Sequence, residues 1–123
     1  LGMILFFKGD KERTKTLFLE SLKESEKINF KHGIINSHQS LARYFEYSNQ
    51  PEKALEHYIE NLRLAKKSND IRLILESING SYRISEKLGN YETANQYLKQ
   101  RIKLKDSLLF EEQKKQMRIQ KAK

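Results

Sequence analysis

Three stretches of this chain share one layout at a spacing of forty residues. In residues 41–58 an apolar helical pattern, a polar break at Ser48-Asn49-Gln50 and a second apolar helical pattern follow one another. Residues 81–98 repeat it with Gly89-Asn90 at the break, and residues 1–18 with Gly9-Asp10. A helical hairpin recurring at a fixed period cannot bury its apolar faces alone, so its copies must stack on one another. The expected fold is therefore all-α, an α-solenoid of antiparallel helix pairs.

The rest of the composition agrees with such an array. Hydrophobic residues make up 37% of the 123 positions and charged residues 33%, proportions that suit a stacked array with a high surface-to-volume ratio. One proline and five glycines leave few breakers of long helices, and strands are not expected. With no cysteine, disulfides, thiolate catalysis and cysteine-based zinc sites are excluded, and the redox compartment stays open. The apolar run Leu1-Gly2-Met3-Ile4-Leu5-Phe6-Phe7 is far short of the roughly 18 to 20 residues of a membrane span and lacks the features of a signal peptide. Its start inside a helical pattern reads as that of a fragment.

Net charge is +8, yet nine Lys/Arg against three Asp/Glu in residues 99–123 supply six of the eight excess charges. A basic tail can approach phosphates or an anionic membrane surface. Here only Phe110 interleaves with the charges, so the tail reads as a solvated helix and nucleic acid is not the expected partner.

Helical spacing places the first complete helix at about residues 11–27, with Leu17, Phe18, Leu22 and Ile28 as its apolar stripe. The next starts near Ile34 and buries Ile34, Ile35, His38, Leu41, Ala42 and Phe45. Pro51 suits the first turn of the following helix, where its missing N–H has no intrahelical partner. That helix carries Ala54, Leu55, Tyr58, Leu62 and Ala65, and Asn69 or Asp70 caps the next one. In the third hairpin Ile71, Leu75, Ile78, Tyr82 and Leu88 fit the first helix, and Tyr91, Ala94, Leu98 and Ile102 the second. Thr14, Ala54 and Ala94, each four residues before Phe18, Tyr58 and Leu98, supply the small side chain that close helix packing needs at a crossing.

Leu1-Gly2-x-x-Leu5 and Leu41-Ala42-x-x-Phe45, with the three turns and the three small-x-x-x-large pairs, resemble the tetratricopeptide repeat over residues 1–102. Ser81-Tyr82-x-x-Ser85 departs from that signature, which predicts a looser or rotated first helix in the third repeat. The resemblance implies a partial repeat at 1–30, repeats at 31–70 and 71–106, and a charged C-terminal extended helix or linker at 107–123. The forty-residue period, Leu104-Lys105-Asp106-Ser107-Leu108 and Glu111-Glu112-Gln113-Lys114-Lys115 are similar to the repeat region of bacterial sensory regulators, including repeat-containing histidine kinases. That likeness implies a protein- or peptide-binding module in signal transduction, or a scaffold relaying signals through its ends. It also implies placement on the periplasmic side of the inner membrane if the parent is a sensor kinase, and in the cytoplasm otherwise.

Enzyme chemistry has no visible basis. His32, His38 and His57 form neither HExxH nor a close cluster with metal-ligand spacing, so no metal is expected. Carboxylates fall three or four residues from Lys or Arg along helix faces rather than converging, and no phosphate-cradling glycine loop occurs. No cofactor is expected.

The resemblance places the first helix of each pair on a concave face. Counted by that register, Asn36, Gln39, Arg43, Glu46 and Tyr47 point into a groove from the second repeat, and Glu76, Asn79, Arg83, Glu86 and Lys87 from the third. Two readings stand side by side. In one, Arg43 and Arg83 hold carboxylates or carbonyls of an extended peptide while Asn36, Gln39 and Asn79 bond its main chain. In the other, Arg43 pairs with Glu46 and Arg83 with Glu86, and the pairs merely solubilise the groove. Met3, Phe6 and Phe7 form a separate candidate surface for self-association as a homodimer.

Overall fold

The computed structural model describes residues 11–121, which form five helices and no strand. These are α1 (Lys11–Lys27), α2 (Lys31–Tyr47), α3 (Pro51–Ser68), α4 (Ile71–Lys87) and α5 (Tyr91–Lys121). Each packs on the next, α1 on α2 through to α4 on α5. Met3, Phe6 and Phe7 lie outside the described residues.

Helix starts at residues 11, 31, 51, 71 and 91 fall twenty residues apart, half the forty-residue period of the sequence. The turns between them explain this regularity. Asn29, Asn49, Asn69 and Gly89 all have positive φ, between 55° and 77°. At each, the residue's own N–H reaches back three residues and the next N–H reaches back five, as in Asn49 to Glu46 (3.3 Å) and Gln50 to Phe45 (2.8 Å). This is the Schellman arrangement, which satisfies helix-terminal carbonyls and needs a residue that tolerates left-handed backbone. Asparagine and glycine are those residues. The following helix then starts at once: Pro51 occupies its first turn, and the Asp70 carboxylate accepts from Leu73 N–H at 3.2 Å.

Two clusters hold the helices together. The first joins Leu41, Ala42, Tyr44 and Phe45 of α2 with Ala54 and Tyr58 of α3 and Ile84 of α4, and Phe18 and Leu22 of α1 pack against it. The second joins Leu62 and Ala65 of α3 with Leu73, Ile74 and Ile78 of α4, with Tyr97 and Leu104 of α5 alongside.

The third hairpin differs from the expectation. Ser81 and Ser85 of α4 are fully buried, as are Leu73, Ile74, Ser77 and Ile84 to within a few per cent, while Leu75 and Tyr82 are half-buried and Leu88 is exposed. On α5, Ala94 is buried as expected and Leu98 is half-buried, whereas Tyr91 and Ile102 are exposed. The cause is that α4 is covered by α3 on one side and α5 on the other. Small hydroxyl side chains let both neighbours approach it, so polarity misleads where size decides. At the start of the second hairpin, α2 begins at Lys31 rather than near Ile34.

No break occurs at residue 106. The final helix runs on from the packed part, and every side chain from Lys105 to Gln120 is exposed. Among the described residues no helix is long and apolar enough to cross a membrane.

Candidate functional site

Side chains of α2 and α4 flank an open cleft of about 350 Å³. Asn36, Gln39, Arg43 and Glu76 line it, joined by His32, Ile35, Asp70, Arg72 and Leu73. Four of the ten groove residues expected from sequence therefore meet in one place. Hydrogen bonds between these two helices join residues thirty-seven apart: the Gln39 amide donates to Glu76 Oε2 at 2.9 Å, and Arg83 grips Glu46. His32, Asp70 and Arg72 escaped the count because they sit in the first turns of α2 and α4 or just before, ahead of the positions assigned to the groove.

The pairing of Arg83 is the main departure from the second reading of the groove. Its Nε donates to Glu46 Oε2 at 2.6 Å and its Nη2 to Glu46 Oε1 at 2.9 Å, a bidentate contact between neighbouring pairs rather than within one turn. Tyr58 Oη donates to the same carboxylate at 2.9 Å and accepts from Arg83 Nη2 at 3.3 Å. Arg83 thereby holds the Glu46 carboxyl below its ordinary range, and burial, helped by Glu46, pushes the Tyr58 phenol up to about 12. Glu86 instead accepts from Tyr82 Oη at 2.8 Å.

A close approach lies behind this triad. The Tyr58 ring sits on the α4 backbone at Gly80, where an added Cβ would come within 2.6 Å of two ring carbons. Only a residue without a side chain lets the phenol reach Glu46 from that position.

Arg43 stands differently. It is exposed, lines the cleft and forms no ion pair among the described residues. In sequence the residue forty before Glu46 is Phe6, so the acid that neutralises Arg83 has no counterpart for Arg43. Arg72, also in the cleft, lies 3.5 Å from Glu76 with its side chain 90% exposed. No protein-family model matches the sequence, and no curated protein matches it. The cleft must be read from its own chemistry: one uncommitted guanidinium, amides at Asn36 and Gln39, and apolar floor residues Ile35 and Leu73.

The remaining groove residues are dispersed. Asn79 accepts from Arg101 Nη1 at 3.1 Å, which ties it to α5, and Arg101 also lies over the Tyr82 ring at 5.3 Å. Tyr47, Glu86 and Lys87 are exposed and do not line the cleft. Among the described residues no group of three or more His, Cys, Asp or Glu side chains is placed to hold a metal ion.

Proposed function

We propose that the chain is a non-enzymatic solenoid of the tetratricopeptide kind that binds a peptide or protein segment in the cleft between α2 and α4. The observation that carries this reading is Arg43: a cation without an acidic partner among the described residues, facing an open cleft that offers amide groups and an apolar floor. Such a set suits an extended segment carrying an acidic group, with Arg43 on the carboxylate and Asn36 on the main chain. Helices starting every twenty residues and packing consecutively support the solenoid. The likeness to bacterial sensory regulators supports a place in signal transduction.

The test is capture from a peptide library by the wild type and by Arg43→Glu, after both give the same circular dichroism. The wild type is expected to enrich acidic peptides that the variant loses. Identical enrichment by both proteins would refute the cleft as a reader. Arg83→Glu is the wrong probe, because it would press two carboxylates together at Glu46.

A second reading, relay through the ends, is favoured by one observation. Leu108, Leu109, Phe110, Met117 and Ile119 are all exposed on the part of α5 that follows Leu104, its last described residue packed on a core cluster. Partner binding lost on removal of this helical extension and kept by Arg43→Glu would favour it.

A further inference from the structure

Two histidines that the cleft does not use face each other between α2 and α3. His38 Nδ1 and His57 Nδ1 lie 3.0 Å apart, and His38 is only 8% exposed. His57 stacks on Phe45 with the planes 10° apart and the centroids at 5.6 Å. A contact between two Nδ1 atoms at this distance requires a hydrogen on one and a lone pair on the other. Two neutral rings satisfy it when one takes the Nδ1–H tautomer. A pair sharing one added proton satisfies it too. Two imidazoliums cannot, since both nitrogens then carry hydrogens and both rings are cationic.

We propose that His38 and His57 form a proton-sensitive clamp, which holds α2 on α3 while the pair has at least one free Nδ1 lone pair and pushes the helices apart once both rings are charged. The surroundings do little to soften a second charge. From α1 only Glu26 acts on His38; from α3, Glu60 favours its protonation and Arg63 opposes it, while Glu60 is itself bonded to Arg63. On His57, Glu56 favours the proton and His38 opposes it. Lys53 lies 5.5 Å from the centroid of the Phe45 ring on which His57 stacks. Among the described residues no charged group of α4 acts on either ring.

Burial outweighs these charges and lowers both imidazoles from their ordinary 6.5. A lowered histidine makes its full contribution to stability above about pH 6.5, and loses it as pH falls through the folded-state value. The two sites share one contact, so their protons are taken up as a pair rather than independently.

The experiment is thermal and urea unfolding of the wild type and of His38→Gln/His57→Gln between pH 7.5 and 5.5, above the range in which most carboxylates titrate. His32 remains in both proteins and cancels in the difference. The folded-to-unfolded ratio of the wild type is expected to fall relative to the variant by about tenfold per pH unit for each proton taken up on unfolding. Equal slopes for the two proteins would overturn the clamp. Should the variant not fold, imidazole nitrogen spectra of the wild type decide. One Nδ1–H beside one bare Nδ1 at pH 7.5, both protonated at acid pH with loss of amide protection in α2, is the expected result. Two rings protonated on Nε2 alone at pH 7.5 would overturn it. So would a rise in the wild type's unfolding midpoint with added Zn²⁺ that the double variant lacks, which would make the pair metal ligands.

Discussion

Gly80 shows how one absent side chain sets a whole contact. Tyr58 lies against its backbone, which brings the phenol within reach of Glu46 and Arg83. Gly80→Ala should cost about 1 to 3 kcal/mol, as overpacking of a filled site does, and urea unfolding measures it. Gly89→Ala has nothing within 4 Å to meet, but it forces an L side chain to φ +77°, for a backbone cost of about 1 kcal/mol. If Gly80→Ala proves the milder of the two, the close approach of Tyr58 is not what that glycine serves. The Glu46–Arg83 pair itself is a weaker determinant. With the Arg83 side chain 54% exposed, its net contribution stays within about 0 to 1 kcal/mol, and its effect is to occupy Arg83 while Arg43 keeps no acidic partner among the described residues.

The helices inherit their even spacing from four turns, three closed by asparagine and one by glycine. Asn49→Ala should destabilise by about 1 to 2 kcal/mol, the cost of a left-handed residue with a Cβ and no locally bonding side chain, whereas Asn49→Gly should restore stability to near the wild type. A thermal melt of the pair in parallel tests this, and equal losses would mean that the asparagine side chain has a further role. These turns were legible in the sequence: Gly89-Asn90, Ser48-Asn49-Gln50 and Pro51 are breakers at fixed offsets, and their residue types state their conformations. The core of α4 was less legible. Ser77, Ser81 and Ser85 were hidden by their polarity, and Gly80 carried no sign of the ring that covers it. The cleft was half legible, since helical periodicity puts Asn36, Gln39 and Arg43 on one face of α2, and only the register implied by the repeat resemblance set Glu76 beside them. Periodicity within a helix carries no information about partners on another, so neither the link from Arg83 to Glu46 nor that from His38 to His57 could be read from it.

Across the described residues, burial ends well before the chain does. Leu104 is the last described side chain that packs on a core cluster, and α5 continues with sixteen exposed residues from Lys105 to Gln120. Ending the chain after Ser107 should leave the thermal midpoint within about 1 °C, since surface residues remote from any packed feature contribute little. A fall of several degrees in a concentration-dependent manner would instead reveal an intermolecular contact made by this helix. At 1.5 Å per residue the free part reaches about 25 Å beyond its last packed turn, so a tilt of about ten degrees where α5 rests on α4 swings its tip by about 4 Å. A small adjustment among the buried side chains at that contact would therefore be magnified at the far end of α5, as at the tip of a lever.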